Sequence, residues 1–207
     1  PGSKTSHIAT NFLMQDIGQR QGIGQGGASE QQGELVKGGG LVACERNHVK
    51  LSKLIDLCKT LGVPTVQCLR ADSTTIGMPH ARVPGLPYPA GYFDRVLLDP
   101  PCSALGLRPR LCQTATSSSL AQAVAYQRLF LHVAVSMLRV GGVLVYSTCT
   151  IAPSENEGMV CWALRRFPCL KLVDATPRLG GHGRRGQGLS DEQCALVQRF
   201  EPTDDDA

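Results

Sequence analysis

Two cysteines each follow a short apolar run by a few residues, and these positions suggest paired thiol chemistry. Cys102 closes the sequence Asp-Pro-Pro-Cys after the run 95–98, and Cys149 closes Ser-Thr-Cys after the run 143–146. Sulfur is the best side-chain nucleophile for an electron-poor carbon, provided that a positive charge or a helix N-terminus lowers the thiol pKa. A single buried cysteine is more often a small hydrophobic residue. Two in equivalent places favour a covalent reaction.

The apolar runs before these cysteines do not alternate between polar and apolar residues. Such runs are typical of parallel strands that are buried on both faces. Open α/β sheets bind their ligands at the C-terminal edge of their strands. We therefore expect Cys102 and Cys149 at a ligand-binding edge.

The periodicity of the whole chain predicts a parallel α/β sheet, in the order helix, strand, helix, strand, strand, helix, strand, helix. Gly62 is expected to cap the second helix, and Glu157 stands three residues after Ser154 as in a capping box. The predicted helices cover 4–14, 48–61 and 120–138 and a segment that starts at Ser154; the predicted strands cover 41–45, 65–69, 95–98 and 143–146.

Two connections stand out by composition. Residues 15–40 consist largely of Gln and Gly and cannot bury a core, so we expect a flexible insertion within one domain that spans 1–207. A second, proline-rich connection contains Pro79, Pro84, Pro87 and Pro89 and leads to the strand before Asp99.

Three acids, Glu45, Asp72 and Asp99, lie at or just beyond predicted strand ends. In a nucleotide-binding fold, an acid after the second strand can accept both ribose hydroxyls, and an acid after the third can accept an exocyclic amine. Each acid alone is more often a solvated or helix-capping carboxylate. A glycine-containing turn at residues 1–5 would add backbone N–H groups for the charged end of such a ligand.

Composition bounds the remaining choices. The chain has 207 residues, 42% of them hydrophobic, and a net charge of +4 that argues only weakly for a polyanionic partner. No apolar stretch approaches the ~20 residues of a membrane span. Its nine cysteines show no Cys-x-x-Cys or histidine spacing of a zinc site, so we expect a reducing compartment and no metal. The chain starts at Pro1 without Met and stops at Ala207, directly after Asp204-Asp205-Asp206 and without reaching another strand, so both ends are expected to be truncated.

A phosphate-binding loop is one rival interpretation. Gly2-Ser3-Lys4-Thr5 is similar to its end, and the strand before Asp99 is similar to the accompanying magnesium-binding strand. That loop needs glycine directly before lysine, where this chain has Ser3, and it leaves both cysteines without a role. A nucleotide triphosphatase is therefore disfavoured.

The motifs together resemble the Sun-domain (NSUN-type) RNA cytosine-5 methyltransferases. The match consists of Pro-Gly-Ser-Lys-Thr at 1–5, Asp-Pro-Pro-Cys-Ser at 99–103, Tyr-Ser-Thr-Cys-Thr at 146–150, Pro-Ser-Glu-Asn-Glu at 153–157 and Gln-Arg-Phe at 198–200. Arg108-Pro109 resembles the subgroup that also has an RNA-binding PUA domain. The resemblance implies a Rossmann-like core that uses S-adenosyl-L-methionine, with its first and last strands missing from this chain.

The resemblance also implies a mechanism in which Cys149 adds to carbon 6 of cytosine and Cys102 assists release of the product. Asp99 is similar to the aspartate that hydrogen-bonds the cytosine edge, and Lys4 stands where a cation could meet the base or the cofactor. Pro1, Gly2, Ser3, Lys4 and Thr5 correspond to a cofactor-binding turn. The implied partner is RNA, with tRNA favoured over rRNA, whose target base must be unstacked.

Two residues depart from the family pattern. Ser3 and Ala104 each stand where the family usually has glycine. A serine at position 3 is expected to restrict the turn and crowd the methionine end of the cofactor. The expected missing strands would leave exposed strand edges, which predicts poor solubility or dependence on further segments.

Several functions remain open on sequence grounds. A non-catalytic, methyltransferase-like RNA-binding module is the main alternative, although both cysteines and all three acids favour an enzyme. A DNA cytosine-5 methyltransferase would leave Cys149 unexplained, and an amino-methyltransferase needs an aromatic residue where Cys102 stands. The compartment is expected to be the cytoplasm or the nucleus, with an organelle also open.

Overall fold

The computed structural model describes residues 2–10, 40–63, 66–76, 84–107 and 115–201. Pro1–Pro87 and Tyr88–Ala207 form two units, which are described in turn. Sequence predictions for Pro1, for residues 15–39, for residue 65, for Pro79 and for Arg108-Pro109 fall outside the described residues.

The first unit is built from parallel strand pairs and two helices. Strands β1 and β2 pair in parallel from Leu41 opposite Val66 to Glu45 opposite Arg70, and β3 pairs in parallel with β4. The elements are α1 (Ser3–Ile8), β1 (Leu41–Glu45), α2 (His48–Thr60), β2 (Val66–Arg70), β3 (Asp72–Ile76) and β4 (Gly85–Leu86).

Helix α2 has a defined cap at each end. The side chain of Asn47 accepts hydrogen bonds from the backbone N–H groups of Val49 and Lys50, at 2.9 and 3.2 Å. Gly62, directly after the helix, has a φ of 65°, which confirms the predicted glycine cap. The core of this unit joins α1, β1, α2 and β2 through Ala9, Ala43, Leu54, Cys58, Val63 and Val66.

The second unit contains a β-α-β crossover. Strands β5 and β6 pair in parallel, with Arg95 opposite Val143 and Leu98 opposite Tyr146, and α3 connects them. Its core joins Leu98 to Leu131 and Ala134 of α3 and to Met159 and Ala163 of α4. The elements are β5 (Phe93–Leu98), α3 (Ser117–Met137), β6 (Leu138–Tyr146), α4 (Glu157–Arg166) and α5 (Asp191–Leu196).

The prediction that β5 and β6 are buried on both faces is wrong. The side chains alternate, and only one face packs into the core with α3 and α4. On the other face Leu97, Val143 and Val145 remain 40, 38 and 51% exposed. Both long helices of the unit pack on the same side of the strand pair. The uninterrupted apolar runs therefore belong here to strands with only one covered face.

The predicted capping box at Ser154 is also wrong. Helix α4 begins at Glu157, and Ser154 lies in the preceding turn. The carboxylate of Glu157 binds the Arg199 guanidinium instead of turning back to Ser154. A buried ion pair with a residue 42 positions away outcompetes the local cap.

Other boundaries shift and three elements were not predicted. Helix α3 starts at Ser117, after a capping box between Thr116 and Ser119, and Leu138 already belongs to β6. Helix α1 ends at Ile8, and residues 11–14 of its predicted extension lie outside the described chain. The unpredicted elements are β3, β4 and α5. None of the helices in the described part of the chain is long and apolar enough to cross a bilayer.

Candidate active site

Two loops leave the same edge of the β5–β6 pair. Here the Cys102 loop means residues 99–107, which follow β5, and the Cys149 loop means residues 147–156, which follow β6. Their starting points are tied together because the backbone N–H of Ser147 donates to the carbonyl of Leu98 at 3.0 Å. The parallel register therefore brings the two predicted cysteine motifs to one edge, as expected.

The two cysteine side chains meet. The Sγ atoms of Cys102 and Cys149 lie 3.3 Å apart, Cys149 being exposed and Cys102 half-buried. Desolvation by the surrounding protein, the hydrogen bond and charge of Cys102, and the charge of Asp99 together raise the pKa of Cys149 to about 11. At neutral pH Cys149 is therefore a thiol, and it must lose its proton before it can attack.

Asp99 stands at the same edge. It follows β5 directly, is exposed, and accepts a hydrogen bond from the Ser147 hydroxyl at 3.3 Å. An exposed carboxylate beside two thiols can accept a hydrogen bond from a ligand amine or a protonated ring nitrogen.

The backbone of the Cys102 loop packs closely on the Cys149 loop. The N–H of Gly106 donates to the carbonyl of Cys149 at 3.1 Å. A Cβ atom at position 106 would lie 3.0 Å from that carbonyl oxygen, tighter than an ordinary contact, so this close approach favours glycine. Ala104, two residues earlier, has a φ of 57° and is the one residue other than glycine with a positive φ in the described chain.

Glu155 is the centre of a buried polar network between the loops. Its side chain is fully buried and accepts hydrogen bonds from the backbone N–H of Ser103 at 3.0 Å and from the Ser103 hydroxyl. The Ser103 hydroxyl also lies 2.7 Å from the Thr150 hydroxyl. Residues adjacent to the two cysteines thus share hydrogen-bonding partners.

Gln127, on helix α3, is also a member of this network. Its Nε2 donates to Glu155 Oε1 at 2.7 Å and to the carbonyl of Pro101 at 3.1 Å. Tyr146 donates its hydroxyl to Gln127 Oε1 at 3.1 Å and to the Glu155 carbonyl at 2.8 Å. Sequence reasoning missed Gln127, because an amide side chain directly before Arg128 on a helix gives no local sign that it is buried.

The far end of the Cys149 loop is held by an ion-pair network. Arg199 contacts the buried carboxylate of Glu157 and also Glu201, and it donates to the carbonyl of Ile151. The N–H of Arg184 donates to Glu157 at 2.8 Å. The Gln-Arg-Phe segment at 198–200 therefore supports the loop that contains Cys149.

In the first unit, two predicted acids lie at one strand edge. Glu45 ends β1 and accepts a hydrogen bond from the Asn47 N–H at 2.8 Å. Asp72 follows β2 by two residues and accepts from the N–H and hydroxyl of Thr74 at 3.0 and 2.6 Å. Burial tends to raise the pKa of Asp72, but the hydrogen bonds from Thr74 and the charge of Arg46 outweigh it, so the pKa is lowered.

The N-terminal turn differs from expectation at Ser3. Gly2 has a φ of 98°, and a Cβ atom there would lie 2.8 Å from Leu54 Cδ1, so glycine is needed at that residue. Ser3 already belongs to α1 in a right-handed conformation, and the restriction expected of a serine there is not found. Lys4 is exposed and Thr5 is half-buried.

Comparisons with known proteins identify the family of this chain. The model of the family described as 16S rRNA methyltransferase RsmB/F matches residues 23–203. The chain belongs to this family. It is 38% identical over 206 residues to the mouse tRNA (cytosine(72)-C(5))-methyltransferase NSUN6, covering 98% of this chain and 38% of the relative. The Pyrococcus horikoshii tRNA (cytosine(72)-C(5))-methyltransferase is 34% identical over 202 residues, which cover 98% of this chain and 41% of the relative.

A solved structure of the family is also similar. The crystal structure of NSun6 from Pyrococcus horikoshii with SFG superimposes with a TM-score of 0.63 at 34% identity, covering 79% of this chain and 38% of that one. SFG is an analogue of S-adenosyl-L-methionine, which the family uses. The partial Rossmann-like fold and the family resemblance are thereby confirmed. The chain spans about two fifths of the length of the relatives it matches.

The resemblance described above leads us to expect glycine at position 104. The φ of 57° at Ala104 lies in the left-handed region, which glycine adopts without the steric cost of a Cβ atom. Ala104 adopts this positive φ in spite of the steric cost of its Cβ atom.

Proposed function

We propose that this chain is the catalytic domain of an RNA cytosine-5 methyltransferase that acts through a covalent adduct. The observation that carries the proposal is the approach of two thiols, Cys102 and Cys149, to 3.3 Å at the edge where Asp99 also stands. A mechanism that uses one thiol for attack and another for release needs both at the same carbon–carbon bond of the base. The family relationship supports the same conclusion.

The acids in the first unit fit the proposed cofactor. A ligand with ribose hydroxyls and an exocyclic amine needs carboxylate acceptors, and Glu45 and Asp72 supply them at one strand edge. Glu45 would accept from the ribose hydroxyls and Asp72 from the amine; the lowered pKa of Asp72 keeps it ionised for that purpose. When bound, S-adenosyl-L-methionine supplies an electrophilic methyl group. Contacts of residues 1–5 with the cofactor stay a prediction.

Cys149 begins the reaction. After losing its proton, its sulfur forms a bond to carbon 6 of the cytosine, and the ring electrons make carbon 5 nucleophilic. Asp99 would hold the base edge at N3 and the amine, which favours addition by stabilising charge on the ring. A role for Lys4 toward the base or the cofactor stays a prediction.

Release of the product reverses the addition. Once carbon 5 carries the methyl group, its proton passes to water, the electron pair of that C–H bond forms the double bond between carbons 5 and 6 again, and the Cys149 sulfur departs from carbon 6 as a thiolate. Cys102 is the residue that we assign to this stage, because its sulfur is adjacent to the nucleophile.

The substrate is proposed to be tRNA, with rRNA as the second choice. The relatives of this chain include tRNA and rRNA cytosine-5 methyltransferases. Because Cys149 must reach an atom of the base, the target cytosine must leave its stack. Such an enzyme works inside the cell, and we propose the cytoplasm or the nucleus. The eight cysteines within the described residues are all free thiols, as a reducing compartment requires.

The decisive experiment compares three forms of the protein with cellular RNA and tritiated S-adenosyl-L-methionine. We expect Cys149→Ala to lose methyl transfer, and Cys102→Ala to accumulate a protein–RNA adduct that survives a denaturing gel. A folded, cofactor-binding wild-type protein that gives neither label transfer nor adduct would overturn the proposal in favour of a non-catalytic RNA-binding module.

A further inference from the structure

We propose that Gln127 is a positioning residue that sets the Cys102 thiol against Cys149 for the release step. This inference rests on the proposed function. Gln127 lies on α3, between the Cys102 loop and the Cys149 loop along the chain, and its side chain is fully buried. A buried amide must have its hydrogen bonds satisfied, and the partners of Gln127 are the groups that flank the two cysteines.

The amide nitrogen of Gln127 donates its hydrogen bonds toward the Cys102 loop. Its Nε2 donates to the carbonyl of Pro101, the residue directly before Cys102. The same nitrogen donates to Glu155, which accepts from the N–H and hydroxyl of Ser103, the residue directly after Cys102. Both neighbours of Cys102 are therefore held: Gln127 binds Pro101 directly, and Glu155, which Gln127 also contacts, binds Ser103.

The amide oxygen of Gln127 accepts a hydrogen bond from the strand that leads to Cys149. Its Oε1 accepts from the hydroxyl of Tyr146, three residues before Cys149. Burial and the charge of Glu155 raise the pKa of Tyr146, so the hydroxyl remains a donor over the physiological range. One side chain thus connects both cysteine-bearing segments.

The network has the properties of a preorganised site. Within the described residues, no buried side-chain nitrogen or oxygen lacks a hydrogen-bonding partner. Removing one member leaves the others desolvated and unpaired, which favours a different loop position. Because catalytic groups displaced by ~1 Å can lose about 100-fold in rate, a small movement of Cys102 is enough to affect release.

The principal test replaces Gln127 by methionine, which keeps the volume and removes both hydrogen-bonding functions. The matched control is Gln122→Met, at an exposed position of the same helix. We expect Gln127→Met to form the protein–RNA adduct with labelled RNA but to release it about 10-fold to 100-fold more slowly than wild type. A residue that serves only stability would lower adduct formation and release together. Gln122→Met should behave as wild type.

A second readout needs no RNA. Diamide takes two electrons and two protons from a pair of thiols, so that an S–S bond forms and the reagent becomes a hydrazine. The rate of Cys102–Cys149 disulfide formation, quantified by peptide mass spectrometry, reports how the two sulfurs face each other. Reaction of each thiol with a monofunctional thiosulfonate corrects for differences in thiolate content. We expect at least a 10-fold lower cross-linking rate in Gln127→Met.

The two readouts separate the inference from the proposed function. If the wild-type protein makes no adduct but Gln127→Met still cross-links slowly, the positioning role holds and the enzymatic proposal fails. If Gln127→Met melts at the wild-type temperature, cross-links at the wild-type rate and releases its adduct normally, the inference is overturned. Should Gln127→Met not fold, Tyr146→Phe decides by the same measurements, since it removes one partner of Gln127 without creating a cavity.

Discussion

The guanidinium of Arg199 donates two hydrogen bonds to the carboxylate of Glu157, at 3.0 and 3.1 Å, and both side chains are almost completely buried. Arg199 also donates to the carbonyl of Ile151, two residues beyond Cys149. The pair therefore links the C-terminal segment to the Cys149 loop. Both charges are buried away from water, and their mutual attraction offsets that loss of hydration. Removing either residue alone therefore lowers the free energy of unfolding substantially.

Arg199→Met is expected to lower the free energy of unfolding by about 3–5 kcal/mol, because it leaves the Glu157 carboxylate buried without its partner. The comparison is Arg185→Ala, which breaks a solvent-exposed ion pair with Asp191 and should cost less than about 1 kcal/mol. Urea unfolding followed by circular dichroism measures both. Equal losses in the two variants would contradict the assignment of Arg199 to the core.

Ala104→Gly is expected to stabilise the protein. A positive φ costs an L-residue about 1–2 kcal/mol of stability, and glycine removes that cost. Glycine also gives the unfolded chain more conformational freedom, which lowers the free energy of unfolding by ~0.4–1 kcal/mol. The net gain is therefore of the order of 0.5–1 kcal/mol. Ala90→Gly is the control, since Ala90 is exposed in a turn with an ordinary φ and should be destabilised by the same change. Thermal unfolding of both variants decides, and a lower melting temperature for Ala104→Gly would refute the prediction.

The reactivity of Cys149 should rise steeply with pH. Its pKa of about 11 means that the thiolate is the minor form at pH 8, so alkylation by iodoacetamide should grow about tenfold per pH unit until the pKa is approached. The raised pKa also predicts that methyl transfer accelerates between about pH 7 and 9, because deprotonation of Cys149 precedes attack.

Removing Cys102 should make Cys149 more reactive toward the same reagent. The hydrogen bond and charge of Cys102 both raise the pKa of Cys149, so Cys102→Ala lowers that pKa and increases the thiolate fraction at pH 8. Peptide mass spectrometry at several pH values follows Cys149 alone. An unchanged alkylation profile in Cys102→Ala would mean that the two thiols do not interact in solution.

Glu45→Gln and Asp72→Asn should each weaken cofactor binding about 10-fold to 100-fold, because each removes a charged hydrogen-bond acceptor worth ~1.5–3 kcal/mol. Asp56→Asn, on the exposed side of α2, is the matched control and should bind as wild type. Titration calorimetry with S-adenosyl-L-methionine gives the affinities. Wild-type affinity in both site variants would remove these acids from the proposed cofactor site.

The sequence was most informative where local signals determine the structure. Gly62 after α2, the end of β1 at Glu45 and the end of β5 just before Asp99 follow from periodicity and turn chemistry, and they lie where expected. The parallel pairing of β5 with β6 then follows from the crossover through α3. From these facts alone, Cys102 and Cys149 were expected at one edge.

Long-range polar contacts were beyond such reasoning. Glu157 has the spacing of a helix cap from Ser154, but Arg199 binds its carboxylate, and no local pattern announces a partner 42 residues away. Gln127 likewise has no signature in an apolar helix. The exposure of Leu97 depends on which side of the sheet the helices pack, and the apolar run itself does not record that choice.

The hydrogen bonds that converge on Glu155 have a consequence for how the protein opens. Residues 101, 103, 127, 146 and 150 share one set of partners, so neither cysteine-bearing loop can detach without disrupting the contacts of the other. Segments coupled in this way exchange their amide protons as one cooperative unit. We therefore expect this edge to form and to open as a whole, with the two thiols placed together rather than one before the other.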